Sequence, residues 1–189
     1  IPEVRVIGQF YNHPEFVQCI LNRANKFDLS KYDHIVFSYH GIPERHVDKV
    51  YLDGKPCADH SCESEINDDN THCYKAACYA TTRIIADKLK LEPSKHSTCF
   101  QSRLGRDPWL VPYTDDVIEN LGKKGNKKVL VFSPAFVADC LETTIEISEE
   151  YLELFEENGG EQLDLVPSLN DDDDWAKSLD AIIRSSFSN

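Results

Sequence analysis

The sequence predicts an α/β fold, a doubly wound parallel sheet of about four to five strands with helices on both faces. Three observations predict it. Strand-like and helix-like segments alternate along the chain. The run His34–Tyr39 is apolar, β-branched and aromatic, and it stops abruptly at His40-Gly41-Ile42-Pro43, as a buried strand does at a sheet edge. Lys128–Phe132, the most strand-like run, leads into a long amphipathic stretch from Ala138 to Asn158, closed by Gly159-Gly160.

Taken in order, Val4–Ile7 reads as a short first strand. Asn12-His13-Pro14-Glu15 resembles a helix start with proline at the first helical position, and Phe16, Val17, Ile20 and Leu21 carry the helical period to about Asn25. His34–His40 is the second strand. From about Glu44 to Thr71 the period fails, and Asp53-Gly54, Lys55-Pro56 and Asn67-Asp68-Asp69-Asn70 predict a long loop or insertion. Loops of that length in a compact domain usually serve function. Tyr74–Leu89 is a helix with Ala77, Ile84, Ile85 and Leu89 on its apolar side, Ser97–Phe100 a short strand, and Gln101–Pro112 a loop rich in Gly, Pro, Arg and Trp. Thr114 is expected to cap a helix whose first turn holds Asp115 and Asp116 and which closes between Gly122 and Gly125. Leu163–Val166 is the last strand, and Asp171–Asp174 precede a final helix to about Phe187, where they complement its dipole.

With 189 residues and 41% hydrophobic content, the chain is long enough for one well-cored domain. No apolar run reaches the length of a membrane span, and no signal-peptide pattern opens the chain. The start at Ile-Pro-Glu-Val, without methionine, is expected of a portion of a longer protein. A net charge of −13 argues against nucleic acid and an anionic membrane surface as electrostatic partners, and it suits a protein that handles cations. Seven cysteines, an odd number without a secretion signal, point to metal or redox use rather than a disulfide framework. No G-x-G-x-x-G or G-x-x-x-x-G-K-[ST] motif is present, so nothing suggests a nucleotide.

His40 is the first chemical candidate, because ligands bind at the carboxyl ends of strands in open α/β sheets and imidazole takes a proton or a metal near neutral pH. The alternative is a histidine that satisfies a turn. The second candidate is Ser133–Thr144, which runs from the end of the strongest strand into the long helix and sets Glu142 on the same edge. Glu142, Glu146 and Glu150 recur every four residues, either as a solvated acidic stripe or as a carboxylate ladder guiding a cation or proton towards His40. Imidazole with carboxylate suits divalent iron-group metals.

Ser38-Tyr39-His40-Gly41-Ile42-Pro43, the block Phe100–Leu110 (Phe-Gln-Ser-Arg-Leu-Gly-Arg-Asp-Pro-Trp-Leu) and Asp139-Cys140-Leu141-Glu142-Thr143 resemble the ferrochelatase family in order and spacing. The resemblance runs from about residue 1 to 170 and is to the C-terminal half of a bacterial ferrochelatase. It implies a single Rossmann-like, chelatase-type domain over residues 1–189, with the family's N-terminal half as partner. The implied reaction is insertion of Fe²⁺ into a porphyrin, protoporphyrin IX in the first place, to form haem. It also implies a cytoplasmic location, peripheral to the inner membrane, and little activity for this chain alone. By the resemblance, His40 accepts pyrrole protons or binds the incoming iron, Glu142 stands opposite it, and Glu146 and Glu150 extend the metal or proton path. Tyr39, Arg103 and Trp109 are expected at the porphyrin, with Arg106 a second cation for a propionate and Leu110 and Pro112 flat apolar surface.

The chain departs from the family at 44–73, where a longer segment replaces the usual Gly-Asp-x-Tyr. Cys57, Cys62, Cys73 and Cys78 are spaced C-x4-C-x10-C-x4-C, which is not a standard zinc knuckle. Because some family members carry a [2Fe–2S] cluster on four cysteines, the resemblance implies that cluster here, with zinc or free thiols as alternatives. Cys78 also matches a cysteine of cluster-free relatives, and His60 and His72 stand as substitutes. Cys19, Cys99 and Cys140 read as small buried hydrophobes. The rival functions are a chelatase for another metal or tetrapyrrole and a non-catalytic iron–sulfur module sensing iron or redox state.

Overall fold

The computed structural model describes residue 4 and residues 6–187. Four parallel strands form the sheet: β1 (His34–His40), β2 (His96–Gln101), β3 (Lys128–Phe132) and β4 (Gln162–Leu165), in spatial order β2-β1-β3-β4. The expected strand at Val4–Ile7 is not found among the described residues: Val4, Val6 and Ile7 are exposed and in no strand, and Arg5 lies outside the described residues. An alternating sequence becomes a strand only where a neighbouring edge takes its backbone hydrogen bonds, and this segment meets none among the described residues.

The helices are α1 (Pro14–Ala24), α2 (Glu44–Asp48), α3 (Tyr74–Leu89), α4 (Thr114–Lys123), α5 (Leu141–Thr144), α6 (Tyr151–Glu157) and α7 (Asp173–Phe187). His13 caps α1 through Nδ1, which accepts the Glu15 N–H, and Pro14 opens the helix as its sequence predicts. Thr114 does not cap α4: Tyr113 holds that position, and the Thr114 hydroxyl is buried between Ser38 and Cys99. The expected continuous helix from Ala138 begins only at Leu141 and is interrupted by a π-helical turn at Glu146–Glu150, where the Glu150 N–H reaches back to the Ile145 carbonyl at 3.0 Å. The segment 44–71, expected as a loop, contains α2 and a short 3₁₀ turn at Cys57–Asp59.

Strand alternation sends alternate side chains to opposite faces. Ile35, Phe37 and Tyr39 of β1 join Leu130 and Phe132 of β3 beneath α1, α3 and α7. Val36, Val129 and Val131 pack with Ile118 and Leu121 of α4 and Phe155 of α6 on the other face. The fold is therefore doubly wound. Buried Arg23 ties α1 to the start of α7, donating to the Leu169 carbonyl at 3.0 Å and pairing with Asp172 and Asp174 of the aspartate run. The strand order reverses at β1, which has β2 on one side and β3 on the other, so the crevice of this sheet opens at the carboxyl ends of β1 and β3.

His34 opens β1, half-buried, with Nε2 3.1 Å from Ser97 Oγ. Burial, aided by the neighbouring His96, Lys95 and Lys124 charges, pushes its pKa down from 6.5 to about 4. A histidine whose folded pKa lies below its unfolded value is protonated first in the unfolded chain, so its contribution is complete above pH 6.5 and is lost as pH falls towards about 4. The His34→Gln variant should lose less melting temperature than the wild type between those two pH values. Parallel curves for the two proteins would exclude His34 as a source of acid sensitivity.

Candidate active site and cysteine centre

His40 ends β1, paired in register with Gln101 at the end of β2. The chain can turn there because Gly41 has no side chain: a Cβ would stand 2.9 Å from the Gln101 carbonyl and 3.2 Å from the Trp109 ring. The His40 Nδ1 lies 2.6 Å from the Gly41 carbonyl oxygen. That oxygen can only accept, so Nδ1 carries the hydrogen and Nε2 of the neutral ring keeps its lone pair. Nε2 has no hydrogen-bond partner among the described residues. Trp109 and Phe136 flank the imidazole, with ring centroids 6.5 and 6.2 Å away.

His40 opens into a groove of about 460 Å³ bordered by Glu142, Glu146, Glu150, Arg103 and the apolar Leu104, Leu141 and Ile145. Leu104 and Leu141 are mostly exposed, 76% and 74%. The three glutamates do different things. Glu142, in the first turn of α5, is held below the usual carboxylate range by a hydrogen bond from Cys140, by its own helix-start N–H and by the charge of His40. Glu150 is exposed. The Glu146 carboxylate is fully engaged: it accepts from Gln101 Nε2 (3.0 Å), the Ser102 N–H (2.8 Å), Ser102 Oγ (2.5 Å) and Tyr151 OH (2.7 Å). Those bonds hold Ser102 in the left-handed region at φ +65°. Behind them a buried polar chain continues inward. Gln101 donates to the Glu142 carbonyl at 2.7 Å and accepts from Ser38 Oγ at 2.7 Å, and Ser38 meets Thr114. Gln101, Ser102 and Tyr151 escape sequence reading, since only the meeting of two strand ends with the π turn gives them a role.

Three other expected residues sit differently. Tyr39 faces away from the groove, buried under α3 with its hydroxyl 2.9 Å from Thr82 Oγ1, because adjacent strand residues face opposite ways. Arg103 is engaged by Asp115 at 2.7 Å and lies over the Tyr113 ring at 4.0 Å. Trp109 is half-buried, and its indole N–H is buried without a partner among the described residues. Cys140 is not a buried hydrophobe but the cap of α5, in reciprocal hydrogen bonds with Thr143. Cys19 and Cys99 are buried as expected.

In the segment 44–73, the Sγ atoms of Cys57, Cys62 and Cys73 converge, 3.5, 3.6 and 3.8 Å apart, all buried and arranged so that they could hold a metal ion. Cys78 is not among the group. It is buried in α3 beside Tyr74, where burial raises its pKa, and it borders a separate apolar cavity of about 290 Å³. Cys73 is the cap of α3, and its pKa falls because Cys57, Tyr51 and the Ala76 N–H donate to the thiolate. His60 stacks on Tyr51 and His72 is exposed, so neither replaces Cys78 among the converging sulfurs.

The sheet thus gathers an imidazole, carboxylates and exposed apolar side chains at its switch point, the edge where ligands bind in open α/β sheets. The family model for Ferrochelatase matches residues 1–187. The chain is 41% identical over 187 residues to the ferrochelatase of Legionella pneumophila (strain Lens), covering 99% of this chain and 55% of that protein. It is 42% identical over 179 residues to that of Pseudomonas fluorescens (strain SBW25), covering 94% and 52%. The chain belongs to the ferrochelatase family, and it spans about half the length of these relatives.

The three glutamates should separate in stability measurements. Glu146→Ala strands several donors at once and should cost about 2–3 kcal/mol. Glu142→Ala and Glu150→Ala should each stay within about 0.5 kcal/mol of the wild type. Urea unfolding of the three variants checks this, and equal losses would mean that Glu146 is an ordinary surface carboxylate.

Proposed function

We propose that this chain forms one wall of the site in which a ferrochelatase inserts Fe²⁺ into a porphyrin, protoporphyrin IX in the first place, to form haem, the rest of the enzyme supplying the other wall. The observation that carries this reading is the shared groove of His40, Glu142 and Glu150, with Leu104, Leu141 and Ile145 exposed beside them. Metallation removes two protons from pyrrole nitrogens while a dication enters, so a base and a cation-attracting carboxylate set are needed together. His40 is the proposed base: with Nδ1 donating to Gly41, Nε2 is the atom that accepts a pyrrole proton. Glu142, lowered in pKa, stays ionised beside it and favours both the imidazolium and the incoming iron. Glu150 extends the negative edge, while Glu146 shapes it. The exposed leucines and Trp109 supply apolar surface for a flat ring. Arg103 could meet a propionate only by loosening its pair with Asp115, whereas Arg106 is exposed and unpaired among the described residues.

The segment 44–73 enters this reading as a metal-holding appendage. A [2Fe–2S] cluster on Cys57, Cys62, Cys73 and Cys78 calls for four converging thiolates; the convergence of three supports a metal centre but does not fit that cluster.

His40→Ala in the full-length enzyme should reduce iron insertion by about 10²–10⁴-fold, the usual contribution of a positioned base, with an unchanged melting temperature. Turnover near that of the wild type in a steady-state insertion assay would sink the assignment.

A further inference from the structure

Cys57, Cys62 and Cys73 come from a 3₁₀ turn, a loop and the cap of α3, yet their sulfurs form a near-equilateral triangle with sides of 3.5, 3.6 and 3.8 Å. A single tetrahedral ion with metal–sulfur bonds of about 2.3 Å sets its corner sulfurs about 3.75 Å apart. A [2Fe–2S] cluster cannot produce that triangle. Its thiolates divide two to each iron with bridging sulfides between the irons, so a third thiolate cannot share the short edge of both others. The hydroxyl of Tyr51 meets the group, 2.6 Å from Cys62 Sγ and 3.8 Å from Cys57 Sγ. Two ligands of one tetrahedral ion would stand about 3.5 Å apart, so at 2.6 Å this hydroxyl is a hydrogen-bond partner of the sulfurs rather than a further corner. The surroundings hold these groups in place. His60 stacks flat on Tyr51 at 3.6 Å, the Cys57 N–H donates to Asp48 at 2.8 Å, and the Cys73 N–H donates to the carbonyl of buried Asn70 at 2.8 Å.

We propose that Cys57, Cys62 and Cys73 hold one divalent ion of the zinc type as a structural centre, with the Tyr51 hydroxyl hydrogen-bonded to a thiolate, and that Cys78 is not a ligand. Binding releases the thiol protons to solvent. The ion closes the segment 44–73 onto the start of α3, which explains how a polar insertion keeps three buried cysteines in an ordered arrangement. This centre does not depend on the iron-insertion reading, and its readout is metal content rather than turnover.

The experiment uses the full-length protein, purified anaerobically, analysed for metal and acid-labile sulfide and then reloaded with Co²⁺ as an optical probe. The expected result is one ion per chain, no labile sulfide, and the intense visible bands of tetrahedral thiolate cobalt. Cys57→Ser, Cys62→Ser and Cys73→Ser should each abolish the bands. Cys78→Ala should keep the ion, and His40→Ala should carry it at wild-type stoichiometry. Tyr51→Phe should keep the ion and the bands, and loss of the ion there would overturn the three-thiolate ligand set. Two irons and two sulfides per chain in the wild type would overturn the proposal in favour of a cluster. So would a wild type that binds no ion, and both of these outcomes are read without requiring any cysteine variant to fold.

Discussion

The groove at the sheet edge depends on one carboxylate. Glu146 accepts from both ends of the Gln101-Ser102 step and from Tyr151, so it fastens the end of β2 to the π turn. It anchors Ser102 in its left-handed conformation and, beside the bond from Gln101 to the Glu142 carbonyl, draws the start of α5 against the sheet. Gln101 transmits the fastening inward, its oxygen taking the Ser38 proton and its nitrogen giving hydrogens to Glu146 and the Glu142 carbonyl. In a buried setting such a chain is useful only when every member is satisfied, and here each polar atom of the Gln101 amide is used. Glu142 is thus positioned through its backbone, which leaves its side chain for the groove.

The same edge shows why strand chemistry changes so sharply between neighbours. Tyr39 and His40 are adjacent, yet alternation sends one into the α3 core and the other to the groove. β1 can be apolar to its last buried residue and still present a titratable group, because His40 stands where the sheet ends and Gly41 lets the chain pass close to Gln101 and Trp109. The reversal of strand order at β1 opens the crevice at that point.

Much of this was legible in the sequence, where local period and breakers decide the outcome. Tyr74–Leu89 and Lys128–Phe132 form as read, since apolar period, a terminal Glu-Pro and a β-branched run are local signals. The meeting of His40 with Glu142 and Glu150 was legible through strand ends and motif order. What was not legible depends on partners distant in sequence. Val4, Val6 and Ile7 meet no pairing edge among the described residues. Thr114 has the composition of a cap, but the buried Ser38 hydroxyl on β1 and the Cys99 sulfur on β2 claim it. Glu146 looks like one tooth of an acidic stripe until Ser102 and Tyr151 arrive. For the cysteines, spacing alone cannot separate Cys78 from the other three, because five residues along α3 carry its sulfur away from the helix cap and into the apolar layer.

The cysteine segment is not an isolated ornament on this fold. Cys73 caps α3, and the next residue, Tyr74, donates its hydroxyl hydrogen to the His40 carbonyl at 2.9 Å. The first turn of α3 therefore touches the converging sulfurs on one side and the backbone of His40 on the other. Lys75, buried in the same turn, pairs with Glu63 of the segment at 2.6 Å, which adds a second tie across it. A centre that immobilises Cys73 would limit the motion of Tyr74, and through it the carbonyl that fixes the end of β1. The coupling needs no electron transfer and no direct contact between the sulfurs and the groove. It requires only that a short helical turn be stiff between two points of attachment, which is the property that hydrogen-bonded helix backbone supplies.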